Sequence, residues 1–154
     1  MKINPDCIRD VLLYLEENLT YNHENDGSVE HNSITMYKVA EDLHNQKGYE
    51  IDDVNYSVEK LLEIRYIISS GESRGRNNSI LYCPISDISY NGHMFLNTIR
   101  PKTIWEATKT KAKQIGGMSI HSLSMISSTI MQGLASNSDF IQSIVDAINQ
   151  NPIR

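Results

Sequence analysis

The spacing of apolar residues changes period at residues 65–66, and that change limits the folds open to this chain. Up to that point apolar residues recur every three or four positions in three separate runs, which predicts three short helices. Directly after it stands 66–70 (YIISS), with β-branched Ile67 and Ile68 inside it. The first run opens at Asn4-Pro5-Asp6, an order that caps a helix, presets its first turn and suits its dipole. Ile8, Val11, Leu12, Leu15 and Leu19 follow as one stripe. Thr35 is a second N-cap, with Ile34 and Val39 placed as a hydrophobic staple and Met36, Val39, Ala40 and Leu43 turned inward. That helix is expected to end near Gly48. A third is predicted to start around Asp52 or Asp53, with Val54, Val58, Leu61, Leu62 and Arg65 along its inner edge. Between the first two, residues 20–32 (TYNHENDGSVEHN) are polar, contain Gly27 and hold no sustained period, so a loop is expected there.

Residues 66–70 and 79–83 (SILYC) read as two short strands on either side of 71–78 (GESRGRNN), a stretch rich in turn formers. Three helices and a hairpin in this order predict a winged-helix-like domain, in a fold that is mainly α with a small β-hairpin (α+β). When such a domain binds DNA, its third helix enters the major groove and its hairpin loop meets the backbone. Arg74 and Arg76 stand where that loop would touch phosphate. The third helix argues the other way, because Asp52, Asp53, Glu59 and Glu63 outnumber Lys60 and Arg65 on it, and phosphate attraction dominates nucleic-acid affinity. Asp52, Asp53, Asn55 and Glu59 are therefore candidates for contact with a protein partner, set against a purely structural role for the helix.

Downstream, Ser89 is placed to cap a helix that buries Met94, Phe95 and Ile99, with Gly92 permitting close approach near its start. Pro101 ends it and Thr103 begins another. There Ile104, Trp105, Thr108, Ala112 and Ile115 share one face and Lys102, Lys109 and Lys113 another, before Gly116-Gly117 terminates the helix. The lysines offer a contact for an acidic partner or nucleic acid, or simply complement the helix dipole. Ser119 can cap a further helix through Ile120, Leu123, Ile126, Ile130 and Leu134, broken at Asn137 and Ser138. Ile141, Ile144, Val145 and Ile148 then form a shorter apolar stripe that packs on its own domain or joins two copies in a homodimer. This divides the chain into residues 1–117, a winged-helix-like domain with a helical extension, and residues 118–154, a helical tail.

The order of Asp6, Ile8, Arg9, Asp10, Leu12 through Glu17, then Val58, Leu61, Leu62, Ile67-Ile68, and most sharply Gly92-His93, Phe95-Leu96, Ile99-Arg100 and Trp105, resembles the phage- and prophage-associated bacterial family called domain of unknown function 2513. The likeness runs over about residues 4–115. It implies a winged-helix-like domain from a mobile-element background and no particular reaction. Residues 20–32 are long for the family, and Pro101-Lys102 stand where acidic residues are more usual.

The remaining observations narrow the function classes. A chain of 154 residues is about one domain long and buries enough core to stand without staples. Cys7 and Cys83 are too few and too far apart for a disulfide framework. No leader and no membrane span is read from the sequence, so a cytoplasmic, non-membrane protein is expected. Through residue 65, 14 acids face 6 bases; from 66 to 118, 3 face 7; beyond, 2 face 1, giving the net charge of −5. An acidic start before a basic middle predicts a surface of two signs. His23, His31, His44, His93 and His121 make no HExxH, and no phosphate-cradling glycine loop or nucleophile elbow accompanies them. His93 reads as a packing or hydrogen-bonding residue, and the spacing of His23, Glu24, Asp26, Glu30 and His31 fits no familiar metal loop. The expectation is a non-enzymatic regulatory protein of a phage or mobile element, without cofactor, that binds a protein such as a transcriptional repressor. The alternative is a DNA-binding regulator that uses the Arg74/Arg76 wing.

Overall fold

The computed structural model describes residues 1–137 together with 139, 146 and 150. It is an α+β fold in two compact units, Met1–Asn97 and Thr98–Arg154. The division falls inside a helix, upstream of the one near residue 117 suggested by the sequence.

The first unit begins with α1 (Pro5–Asn18), capped as expected: Asn4 Oδ1 accepts the Cys7 amide at 3.2 Å. Its inner face buries Cys7, Ile8, Val11, Leu12, Tyr14 and Leu15. Strands β1 (Thr20–His23) and β2 (Val29–Asn32) follow, paired antiparallel from Thr20 opposite Asn32 to His23 opposite Val29. A loop expected over residues 20–32 is thus a hairpin. Its turn holds Gly27 at φ +85°, and Asp26 Oδ1 accepts the Ser28 amide at 2.8 Å. Every residue of both strands is exposed, so there is no buried face to impose the alternation by which a strand is read.

The short strand β3 (Ile34–Thr35) leads into α2 (Met36–Lys47). Thr35 Oγ1 accepts the Lys38 amide at 3.2 Å, and Gly48 closes the helix at φ +75°, the left-handed conformation that glycine adopts without a Cβ penalty. Helix α3 (Ile51–Glu63) buries Val54, Ser57, Val58 and Leu61. Arg65, expected on its inner edge, is exposed beyond the helix end at φ +58°, where the chain reverses and the Tyr66 amide donates to the Leu61 carbonyl at 2.9 Å.

Strand β4 (Ile67–Ser69) does not pair with the 79–83 segment. It pairs with β7 (Pro84–Ile88), Ile67 opposite Ile88, in a three-stranded antiparallel sheet of order β3-β7-β4. Between them the chain makes a separate two-stranded arm, β5 (Ser73–Arg74) with β6 (Ile80–Tyr82). The expected single hairpin is therefore a sheet pair continued by an arm, and a register shift interrupts each pairing. Sequence reading missed β7 because Pro84, Ser86 and Asp87 dilute its apolar signal, yet it is the central strand and buries Ile85 and Ile88. Pro84 is tolerated as its first residue.

Ser89 caps α4 (Tyr90–Ile99), its hydroxyl accepting the Gly92 amide at 3.1 Å and donating to the Arg65 carbonyl at 2.7 Å. Phe95, Leu96 and Ile99 are buried; Met94, expected with them, is 50 % exposed because it lies one residue off that stripe.

In the second unit α5 (Lys102–Ile115) packs with α6 (Ile120–Ser136). Ile104, Trp105, Thr108 and Ala112 are buried, whereas Ile115, assigned to the same face, is 60 % exposed at the last turn. Gly116 is left-handed at φ +72°, and Ser119 Oγ accepts the Ser122 amide. Thr98 and Ser127 hydroxyls share a 2.8 Å hydrogen bond. Among the described residues, no helix is long and apolar enough to cross a membrane. Ile141, Ile144, Val145 and Ile148 lie outside the described residues.

Candidate functional site

Two adjoining recesses lie where α3 faces the β5–β6 arm. Helix α3 spends Val54, Ser57, Val58 and Leu61 on the core, which leaves Asn55, Glu59 and Glu63 at the spacing of one outer stripe. The first recess, about 260 Å³, is lined by Asn55 with Thr35, Met36, Tyr37, Ile80, Leu81, Tyr82 and Cys83. Its rim is apolar and open: Tyr37 is 71 %, Leu81 68 % and Tyr82 55 % exposed. The second, about 320 Å³, is lined by Glu59, Leu62, Glu63, Glu72, Arg74 and Ile80. Three carboxylates there face one guanidinium, and Ile80 belongs to both recesses.

Arg74 is held within the arm, ion-paired with Glu72 and donating to the Asn78 carbonyl at 2.9 Å. Its charge is thereby largely compensated. Arg76 is exposed on the turn closed by the Gly75 amide on the Ser79 carbonyl at 2.8 Å. On α3, Lys60 pairs with Glu63 and its ammonium lies 5.4 Å from the Tyr56 ring, while Asp52 is exposed and Asp53 half-buried in the first turn. The structure thus brings together Asn55, Glu59 and Arg74; Asp52, Asp53 and Arg76 do not line these recesses.

Tyr37, Glu72, Leu81 and Tyr82 also belong to this face and were not singled out from sequence, while Glu63 was counted only among the acids of the third helix. Residues 79–83 read as a short strand, and four of the five are apolar or aromatic, which gives no hint of exposure. The two-stranded arm has no covering layer, so Leu81 and Tyr82 both reach solvent.

In the second unit the three lysines do not form one free stripe. Lys109 sits 5.6 Å from the Trp105 ring and 3.1 Å from Glu106, whereas Lys102 and Lys113 are exposed at opposite ends of α5. A separate apolar recess of about 470 Å³ is lined by Ala107, Lys111, Ile115, Met125, Ile126, Thr129 and Ile130.

His93 is half-exposed on a cavity of about 200 Å³ at the end of α1, with Nδ1 3.9 Å from Glu16 Oε1. Tyr21 and His31, in tilted ring contact at 4.8 Å between centroids, line the same cavity with Asp87. Among the described residues, no three His, Cys, Asp or Glu side chains gather in a way that would hold a metal ion.

A family model described as Hypothetical protein (DUF2513) matches residues 2–119. No curated protein and no solved structure matches.

Proposed function

The chain belongs to the DUF2513 family, and from that premise we propose that it is a non-enzymatic regulatory protein of a phage or mobile element that acts in the cytoplasm by binding a protein such as a transcriptional repressor. One observation carries this reading. The outer face of α3, the first turn of α2 and the adjoining arm together present exposed Tyr37, Leu81 and Tyr82 beside Glu59, Glu63 and Glu72. An apolar centre with a polar rim is the composition of a protein interface, and aromatic side chains supply most of the energy of such contacts. The same acidic edge opposes a polyphosphate backbone.

The succession α1, α2, α3 and the sheet order β3-β7-β4 support a winged-helix-like reading of the first unit. In that reading α3 occupies the place of a recognition helix with the wrong charge for DNA. Of the two arginines expected to meet phosphate, Arg74 is already engaged by Glu72 and Arg76 alone is left on the turn, which favours the protein-binding reading over the wing-mediated one. The exposed apolar recess on α5 and α6 supports self-association as a second contact.

Affinity capture from the native host with wild-type protein and with Leu81→Ala/Tyr82→Ala tests the proposal. A discrete protein retained by the first and lost by the second is expected. Capture of no such protein, or salt-dependent DNA retention that weakens when Arg74 and Arg76 both become Ala, overturns it.

A further inference from the structure

We propose that the partner presents to this face a basic peptide segment with an apolar anchor, running along α3 with the anchor at the Asn55 end and its arginine or lysine side chains at the Glu63 end. The inference rests on the protein-binding reading above and adds the chemistry and direction of the bound segment.

The two recesses are arranged in series. The one beside Asn55 has no charged lining residue and is framed by Tyr37, Leu81 and Tyr82. The one beside Glu63 is framed by Glu59, Glu63 and Glu72 against Arg74. Ile80 lines both, so a single segment can enter the two without leaving the surface. Asn55 and Glu63 are eight positions apart on one helix, about 12 Å at 1.5 Å per residue. An extended chain crosses that distance in about four residues and a helix in about eight. The anchor and the first basic residue of the partner should therefore be separated by one of those two intervals.

Charge decides the sign of the partner. Lys60 and Arg74 each already have a carboxylate neighbour, Glu63 and Glu72, and Glu59 adds a further exposed negative charge to the same recess. An incoming guanidinium or ammonium meets a site with negative charge in excess; a phosphopeptide, an acidic segment or a nucleic acid meets repulsion. Rim charges of this kind act mainly on association rate and on salt dependence, while the anchor in the apolar recess sets the residence time.

Selection of random short peptides displayed on phage against the immobilised full chain tests the inference. Enriched peptides are expected to carry an aromatic or long aliphatic residue followed, at one of the two intervals, by arginine or lysine. Their binding should weaken as salt rises and fall about tenfold or more in Glu59→Lys/Glu63→Lys. Leu81→Ala/Tyr82→Ala should abolish enrichment. Because all four side chains are exposed, an unchanged circular dichroism spectrum and melting temperature verify the fold, and Glu59→Gln serves as a milder variant. Enrichment of acidic or uncharged peptides, or none above the bare support, overturns the inference. If a host partner is captured through Leu81 and Tyr82 while the selected peptides are not basic, the segment chemistry fails and the protein-binding reading stands; loss of capture dependence on this face removes both.

Discussion

Gly92 shows how much one residue can depend on its surroundings. In an ordinary helix Gly→Ala is stabilising by about 1 kcal/mol. Here a Cβ would overlap the Tyr66 carbonyl oxygen, a backbone atom that cannot swing aside, and would lie 2.8 Å from Ile88 Cγ2. Gly92→Ala is therefore expected to lower stability by about 2–3 kcal/mol, read as a shift in denaturation midpoint without change in slope. Thr108 is the opposite case. Its hydroxyl is fully buried and finds no hydrogen-bond partner among the described residues. Thr108→Val keeps the shape and removes an unsatisfied group, so thermal denaturation should show a gain of about 1 kcal/mol. Sequence reading foresaw close approach at Gly92 and placed Thr108 on the face of Ile104 and Trp105, but the carbonyl that closes on Gly92 belongs to a residue 26 positions earlier and leaves no trace in local spacing.

At the scale of elements, helices were legible, whereas of the strands β4 and β6 were legible and their pairing was not, for a physical reason. α1, α2 and α6 each begin at a side-chain cap written into the chain, Asn4, Thr35 and Ser119, and each presents a periodic stripe to a core. The short strands owe their places to partners distant in sequence: β7 lies between β3 and β4, and its pairing with Ile34 and Ile67 cannot be read from residues 84–88 alone. The candidate site was half legible for a related reason. Charges on α3 are visible from composition, whereas the exposure of Leu81 and Tyr82 follows from an arm with no second layer. Burial also ranks the helices. α1 buries six residues over its length, but in α6 the buried ones, Ile120, Leu123 and Ser127, all fall in the first half. Amide hydrogen exchange should accordingly be slow in α1 and faster by about a hundredfold or more across residues 128–136, a gradient that uniform protection along α6 would refute.

For the molecule as a whole, pH acts through hydrogen bonds that tie separate elements. The Tyr14 hydroxyl donates to Asp42 Oδ2 at 2.6 Å, joining α1 to α2, and Tyr49 donates to Asp10 Oδ2 at 2.9 Å. Lys38 and then Tyr14 hold the Asp42 carboxyl below its ordinary value, so this contribution is present above about pH 4 and is lost as pH falls further. Burial, reinforced by the neighbouring carboxylates, raises both tyrosines above their ordinary value; their contribution is complete below about pH 10 and is lost as pH climbs toward the raised values. Chemical denaturation across pH should give a plateau between these limits, and Tyr14→Phe should lower the plateau by about 1–2 kcal/mol and soften both shoulders. The two cysteines have a practical consequence. Burial pushes the Cys7 thiol up to about 11 and raises Cys83 as well, so neither offers much thiolate at neutral pH. A fluorophore or spin label can be attached to one new cysteine on the arm or the β1–β2 hairpin of the otherwise native chain, with both resident thiols left in place as silent bystanders.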